Sequence, residues 1–386
     1  MNGLLNYVTI WLFFFLYLSC SENFKGKLPE RGWQSNLLQI DSTKIERGLL
    51  FRNEKSVILS NKKMISISKQ DTKYTIMALG YCQVSDSAIY ILERFVPEIH
   101  IFRMNGSFEK TINLQINNTD FTHEFTELII LRKNKYLVKD ARKSIIYLFD
   151  SDGQMIKVYA SKDKFNFFAP HNMDYVDRGN ALEIYTSIWQ YLQGDPKKVR
   201  LNDCHTIGKL FGENTSIKTF ANYDSLYEKY NLLCFQPAYL RIWKNRIYQV
   251  QQALPFIRIY SLDGEFLSTF GVPGYHMRPI QKQPKFQNDM KILEYINSHT
   301  LYGNLFILDG CSGYNKPILI VSYQNPDRKN PYRYFCILYS PEGLVLYNDL
   351  SVPAMPIQVD SDRSAIFFLE ATEDSITIIE KCISIE

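Results

Sequence analysis

The sequence predicts an all-β fold, a ring of six four-stranded antiparallel sheets. Its 386 residues include 26 Tyr and 25 Phe but only 12 Ala, a composition that favours strands over helices. A second observation is a recurring pattern of an apolar strand, a short polar turn with a glycine, and another apolar strand. Units of about 40–50 residues that each hold four short strands are typical of β-propeller blades.

The repeated units can be placed along the chain from the turn glycines and the apolar runs before them. The clearest copies have their turn glycines at Gly106, Gly153, Gly264 and Gly343. Each hairpin follows two further apolar runs, so that one unit contains four strands. The units begin near Gly80, Glu127, Pro170, Pro237, Met290 and Pro356.

The sixth unit reaches the end of the sequence before its fourth strand is complete. An open ring would expose a sheet edge, which favours aggregation. Strand-like segments that start at Ser56 and Lys63 belong to no unit of their own. We therefore expect N-terminal strands to pair beside the C-terminal strands and close a six-bladed propeller that spans residues 48–386.

The N-terminus indicates export and a lipid anchor. Residues 4–18 form an apolar run that is shorter than the roughly 20 residues of a membrane span and suits the core of a signal peptide. The Ser19-Cys20 step that follows resembles a bacterial lipobox, in which the cysteine carries the lipid. We expect a signal peptide at 1–19, a lipid-anchored tether at 20–47, and attachment to the cell envelope through Cys20, at the outer membrane or the periplasmic face. An ordinary signal peptide or an uncleaved anchor stays open.

Charge and motifs exclude several classes of function. A net charge of +4 without a basic cluster gives no reason to expect nucleic acid binding. The sequence contains no CxxC pair, GxSxG elbow, P-loop, HExxH or GxGxxG motif. We therefore expect no cofactor and no metal, and we assign no catalytic residue.

One face of the ring carries the candidate site. When the strands of a blade are lettered a to d outward from the ring axis, the b–c and d–a connections share one face, and the a–b and c–d turns share the other. We expect an unidentified protein or glycan to bind the b–c/d–a face, although hairpin ends can also be polar only because water solvates them. The candidate residues are Glu93, Lys139, Gln251, Asp309 and Glu370 at equivalent ends of b strands, with Arg94 and Asp140 beside them and His171 at the head of the third blade.

Two segments resemble a known repeat. RIYQVQQALPFIRIYSLDGEFLSTFG and NKYLVKDARKSIIYLFDSDGQMI resemble the NHL-type repeat of six-bladed propellers. Together with the lipobox, they make the chain similar to six-bladed NHL-like or TolB-like propeller lipoproteins of Bacteroidetes, many of which have no known function. The resemblance implies the fold and says little about activity. We expect an exported, lipid-anchored binding or scaffolding module at the cell envelope.

The same resemblance implies an alternative, a channel-mouth hydrolase or lyase of the lactonase type that uses a divalent metal. Such enzymes hold calcium in the central channel, and calcium takes 6–8 oxygen ligands. The residues that head the first strands do not make an oxygen cage of this kind, so an enzyme is the less favoured interpretation. They are Tyr81, His171, Ala238, Ile292 and Ile357.

Overall fold

The protein is described here from a computed structural model. It covers residues 55–116, 122–160, 166–179, 181–190, 204–211, 216–232, 235, 237–278, 280–282, 289–325 and 334–386. The expected signal peptide, the tether and the lipidation site Cys20 lie outside the described residues.

The described chain forms six four-stranded antiparallel sheets, blades 1 to 6. Strand β1 (Val57–Ser68) and a short hairpin of β2 (Gln70–Asp71) and β3 (Tyr74–Thr75) come first. Blade 1 contains β4 (Leu79–Val84), β5 (Ala88–Glu93), β6 (Glu98–Arg103) and β7 (Phe108–Asn113). Blade 2 contains β8 (Phe125–Leu131), β9 (Lys135–Asp140), β10 (Ile145–Phe149) and β11 (Met155–Ala160). Blade 3 contains β12 (Asn166–Asp177), β13 (Leu182–Gln190), β14 (His205–Phe211) and β15 (Ser216–Asn222).

The second half of the ring has the same plan. Blade 4 contains β16 (Ala238–Trp243), β17 (Arg246–Gln251), β18 (Ile257–Ser261) and β19 (Phe266–Phe270). Blade 5 contains β20 (Leu301–Leu308), β21 (Ile318–Gln324), β22 (Tyr334–Tyr339) and β23 (Val345–Val352), and blade 6 contains β24 (Pro356–Asp360), β25 (Ala365–Ala371), β26 (Ser375–Ile385) and β1. Helix α1 (Ser225–Tyr230) precedes blade 4, α2 (Asp289–Asn297) precedes blade 5, and a 3-10 turn at Arg132–Asn134 joins β8 to β9. Neither helix is long and apolar enough to cross a membrane, and the same holds throughout the described residues.

The ring is closed by the first and last strands of the described chain. Strand β1 pairs antiparallel with β26 from Val57 opposite Ile385 to Ser68 opposite Ser375, with one irregularity between Asn61 and Lys63. The inner strands β4, β8, β12, β16, β20 and β24 each contact the next, and β24 contacts β4. The expected six-bladed fold and its closure by N-terminal strands are confirmed.

The turn glycines pack each blade on its neighbour. Gly153 has φ +81°, and a Cβ there would lie 2.3 Å from the carbonyl oxygen of Asn113 in blade 1. Gly264 has φ +91°, and its Cβ would lie 2.6 Å from the ring of Phe220 in blade 3. The left-handed backbone and the close approach both require glycine. These c–d turns therefore lie directly against the d strand of the preceding blade.

The hydrophobic core lies between adjacent blades rather than at the ring axis. Between blades 6 and 1, for example, Ile65 and Ile67 of β1 pack with Phe367 and with Ile89 and Phe102. Equivalent buried clusters fill the other five junctions. This arrangement explains the many Tyr, Phe and Ile, because large side chains on both sides of a strand fill the space between twisted sheets.

The sequence-based assignment of blade 5 is wrong. The segment at Met290 is helix α2, not a first strand, because its Tyr295 and Ile296 turn into a buried cluster on one helix face. The first strand is β20, which the repeat pattern predicts to be the second strand. Asp309 therefore follows an a strand and lies on the a–b/c–d face, opposite to its expected position. Short apolar runs do not distinguish helix from strand by periodicity alone.

Closure by β1 has a measurable contribution to stability. Ile67 is 1% exposed in the junction of blades 6 and 1, whereas Met64 of the same strand is 72% exposed. We expect Ile67→Ala to lower the free energy of unfolding by about 2–5 kcal/mol, because it leaves a cavity. The control Met64→Ala should change it by about 0.5 kcal/mol or less. Urea unfolding of both variants measures this, and equal effects would contradict the role of β1.

Candidate functional site

The residues expected at the b-strand ends divide into buried and exposed groups. Glu93, Lys139 and Gln251 lie at the b–c/d–a ends of their strands, as aligned, but their side chains are at most 2% exposed. Glu370 is exposed on β25. His171 lies on β12, and its side chain is outside the described part of the structure. Solvation by water therefore does not explain why most of the aligned b-strand ends are polar, because Glu93, Lys139 and Gln251 are buried.

Glu93 and Arg94 join neighbouring segments at the b–c/d–a face. The Glu93 carboxylate accepts the backbone N–H of Met77 at 2.7 Å and that of Ala78 at 3.2 Å. Burial raises the pKa of Glu93, although these N–H donors oppose the shift. Arg94 forms an ion pair with Glu124. Glu93 thus holds the segment that precedes β4, and Arg94 holds the segment that precedes β8.

The fully buried side chain of Asp140 contacts several polar groups at once. Its carboxylate lies 2.6 Å from Nδ1 of His123 and accepts the backbone N–H groups of Glu124 at 3.2 Å and Lys143 at 3.1 Å. Nε2 of His123 lies 3.4 Å from Nζ of Lys143. Gln251 has a similar place in blade 4, where its Oε1 accepts the N–H of Asp224 at 3.1 Å. Asp140 and Gln251, two of the expected site residues, therefore hold the segments that connect neighbouring strands.

A second polar cluster on this face, half-buried, was not anticipated. Asp349 accepts the backbone N–H of His276 at 2.8 Å and lies 2.9 Å from its Nδ1, and the Tyr323 hydroxyl donates to its other oxygen. The His276 ring stacks on Phe335 with centroids 4.4 Å apart. These contacts hold the connection after β19 on blade 5. Its only sequence signal was a histidine in a long loop.

The central channel contains a cavity with both polar and apolar lining residues. A cavity of about 360 Å³ is lined by residues from all six inner strands. It reaches the a–b/c–d face, where Trp243 and Asp309 stand at the ends of β16 and β20. Nε1 of Trp243 donates to Asp309 Oδ1 at 3.1 Å, and the N–H of Asp309 donates to Ser361 at 3.0 Å. Of the expected site residues, Asp309 lines this cavity.

One wall of the channel is charged. Glu127, at the wall, pairs with Lys139 behind it at 3.0 Å, and Lys139 Nζ also reaches Thr186 at 3.4 Å. Burial lowers the pKa of Lys139, opposed by the charge of Glu127. Asp174 and Arg241, from blades 3 and 4, line the same wall.

Backbone groups of strands β12 and β16 hold the side chains of Asp174 and Arg241. Asp174 Oδ2 accepts the N–H of Ile242 at 2.7 Å, and its Oδ1 accepts the N–H of Tyr175 at 2.8 Å. Arg241 Nη1 donates to the carbonyls of Leu240 at 3.1 Å and Met173 at 3.5 Å. Burial raises the pKa of Asp174, while Arg241 and the two N–H donors oppose that shift.

The opposite wall of the channel is apolar. Phe306 and Ile307 of β20 face it together with Ile357 and Val359 of β24. The guanidinium carbon of Arg241 lies 5.5 Å from the centroid of the Phe306 ring, where a cation and a ring face attract. The channel thus has a charged side made by blades 2 to 4 and an apolar side made by blades 5 and 6.

Side chains also tie the free edges of the inner strands. Each inner strand pairs with its b strand on one edge only, so the backbone groups on the other edge need partners. Amide side chains from the preceding blade supply several. Gln83 Oε1 accepts from Ile130 N at 3.1 Å, Gln358 Oε1 accepts from Val84 N at 2.8 Å, and Asn304 Nδ2 donates to Pro356 O at 2.9 Å.

The charged channel residues lie within inner strands, whereas the candidates predicted from the sequence lie at the heads of first strands and the ends of second strands. Glu127 opens ELIILRK, Asp174 lies between Met and Tyr in PHNMDYVD, and Arg241 lies between Leu and Ile in PAYLRIW. A charged residue directly beside apolar or aromatic residues in an inner strand is a usable signal, because a charge that is partly buried needs a partner. Among the described residues, no group of three or more His, Cys, Asp or Glu side chains is arranged to hold a metal ion.

Helices α1 and α2 cover part of the b–c/d–a face. Tyr227 of α1 and Tyr295 of α2 belong to one buried cluster with Phe235 and Leu254. Among the cysteines in the described ranges, Cys82, Cys204, Cys311 and Cys336 are buried and Cys382 is half-buried.

Comparison with known proteins supports the fold alone. No protein-family model matches the sequence, and no curated protein matches it. The crystal structure of a DUF4221 family member from Bacteroides vulgatus has a TM-score of 0.58 at 12% identity and covers 87% of this chain and 99% of that chain. That of a candidate exported protein from Bacteroides fragilis has a TM-score of 0.50 at 10% identity, covering 86% and 95%. A gluconolactonase from Xanthomonas campestris has a TM-score of 0.43 at 11% identity, covering 94% and 98%, which supports no inference about activity.

The buried Lys139–Glu127 pair gives a stability prediction. We expect Lys139→Met to lower the free energy of unfolding by about 3–5 kcal/mol, because it leaves the Glu127 carboxylate buried without a cation. Adding Glu127→Leu should recover most of that loss. The exposed pair of Arg103 and Glu109, at 3.8 Å, supplies the control, since Arg103→Met should cost about 1 kcal/mol or less. Chemical unfolding tests this, and an additive loss in the double variant would refute the pairing.

Proposed function

We propose that the protein is an exported, lipid-anchored binding module whose propeller takes a small ligand in its central channel from the a–b/c–d face. The observation that carries the proposal is the cavity of about 360 Å³, with a charged wall opposite an apolar wall. Ligand sites are typically concave and mostly apolar, with a few placed polar groups, and span about 300–1,000 Å³.

The rigidity of the channel wall supports binding over a purely structural channel. Asp174 and Arg241 are fixed by backbone bonds between β12 and β16, and the amide ties hold other inner strands in register. A site whose polar groups are already oriented loses little conformational entropy when a ligand enters.

Two observations support a location at the cell envelope. Residues 4–18 and Cys20 have the pattern of a lipoprotein signal. Two structures that share the fold come from Bacteroides, and one of them is a candidate exported protein. An extracytoplasmic propeller with an open channel suits capture of a ligand at the cell surface or in the periplasm.

The partner expected on the b–c/d–a face remains a competing proposal. Glu93, Lys139, Asp140 and Gln251 are buried and would contribute only through the backbone that they position. Exposed side chains at this end of blades 1 and 6 are Met77, Phe95 and Glu370. A protein or glycan bound there would be unaffected by changes inside the channel.

Thermal stability with a panel of compounds tests the channel. The panel contains apolar amino acids, monosaccharides, dicarboxylates and short fatty acids. We expect at least one class to raise the Tm by several degrees, because a ligand at 100 times its Kd stabilises by about 2.7 kcal/mol. Ile357→Trp, which fills the channel, should abolish the shift, and Leu344→Trp, on an exposed c–d turn, should preserve it. A shift that persists in Ile357→Trp would place binding elsewhere.

Labelling with a radioactive fatty acid tests the anchor. The full-length protein should incorporate label in cells and fractionate with membranes, because the acylated cysteine inserts its chains in the bilayer. Cys20→Ala should lose both properties, whereas Ser19→Ala, which keeps a small residue before the cysteine, should retain them. Equal labelling of the wild type and Cys20→Ala would remove the lipid anchor from the proposal.

A further inference from the structure

Two opposite charges in the channel indicate what kind of ligand it takes. Asp174 and Arg241 line the same cavity from adjacent inner strands. Hydrogen bonds to the backbone hold each side chain, and the two opposite charges stabilise each other. Each retains bonding capacity. A guanidinium has five N–H donors and a carboxylate about four lone-pair sites, and the backbone uses only part of either set.

The remaining charges in this part of the channel cancel. Glu127 and Lys139 are already paired at 3.0 Å. The wall is therefore neutral overall, with a positive pole at Arg241 and a negative pole at Asp174. A ligand with a single charge would add a net charge to this neutral, partly buried wall, which is costly. A ligand with both charges satisfies both poles.

We infer that the channel binds a free α-amino acid with an apolar side chain, its carboxylate at Arg241 and its ammonium group at Asp174. The side chain then packs on the opposite wall, against Phe306, Ile307 and Ile357. This inference rests on the proposed function and specifies its ligand. Arginine suits the carboxylate because its planar fork can donate two parallel hydrogen bonds.

The geometry also sets the selectivity. The cavity of about 360 Å³ holds a molecule of amino-acid size with some water. The apolar wall has no charged side chain among its lining residues from β20 and β24 apart from Asp309 at the mouth. A long charged side chain would lose hydration there without gaining a partner, so leucine and isoleucine should bind better than lysine or glutamate.

Three matched probes test the inference by calorimetry on the intact protein. L-Leucine carries both charges, 4-methylpentanoate lacks the ammonium group, and 3-methylbutylamine lacks the carboxylate. We expect leucine to bind at least tenfold more tightly than either analogue. Arg241→Gln and Asp174→Asn should each weaken leucine binding at least tenfold, while the side-chain amides can still bond the neighbouring backbone.

A control separates lost charge from a loosened wall. Asn304→Leu removes the equivalent tie to Pro356 between blades 5 and 6 without changing any charge, and leucine binding should remain within about threefold of the wild type. The Tm of every variant reports folding independently. If either analogue binds wild type as tightly as leucine, the inference is wrong. A different outcome is that a compound of another class, such as a monosaccharide, binds and loses its binding in Ile357→Trp, while leucine does not bind. In that case the inference is wrong and the proposed function stands. If nothing binds in the channel, both fall.

Discussion

The whole structure depends on the pairing of β1 with β26. Blade 6 has only three strands of its own, and the fourth comes from the other end of the described chain. Without it, β26 would expose a row of unpaired backbone groups, and the junction between blades 6 and 1 would lose Ile65 and Ile67. Every blade packs on two neighbours, so the ring is closed only when the junction between blades 6 and 1 is complete. Closure fixes the diameter of the ring and therefore the shape of its channel.

The second constraint is the free edge of each inner strand. A b strand satisfies one edge, and the other edge faces the ring axis with N–H and C=O groups that side chains of the neighbouring blade can reach. Side chains such as Gln83, Asp174 and Gln358 provide the missing partners. The polar residues in the channel therefore have a structural role whether or not a ligand is bound, and binding would use the capacity that these bonds leave over.

Local patterns predicted most of the fold. The turn glycines Gly153 and Gly264 were recognisable because a tight turn that touches the preceding blade tolerates no other residue. The closure of the ring followed from counting strands. The error in blade 5 arose at Met290, where a short apolar run formed a helix because a buried cluster from α1 and the following loop was available to cover one face of it. No local signal reports such a partner.

The sequence by itself determined the repeat, the strand count, the turn positions and the expected export signal, since each depends on residues close together in the chain. Only the tertiary structure decided that Glu93, Lys139 and Asp140 are buried and that Glu127, Asp174 and Arg241 share one wall. The reason is physical. Burial of a strand end depends on what the next blade and the connecting helices place over it. Convergence at the axis depends on the stagger of strands from different blades, which is fixed by packing across the ring.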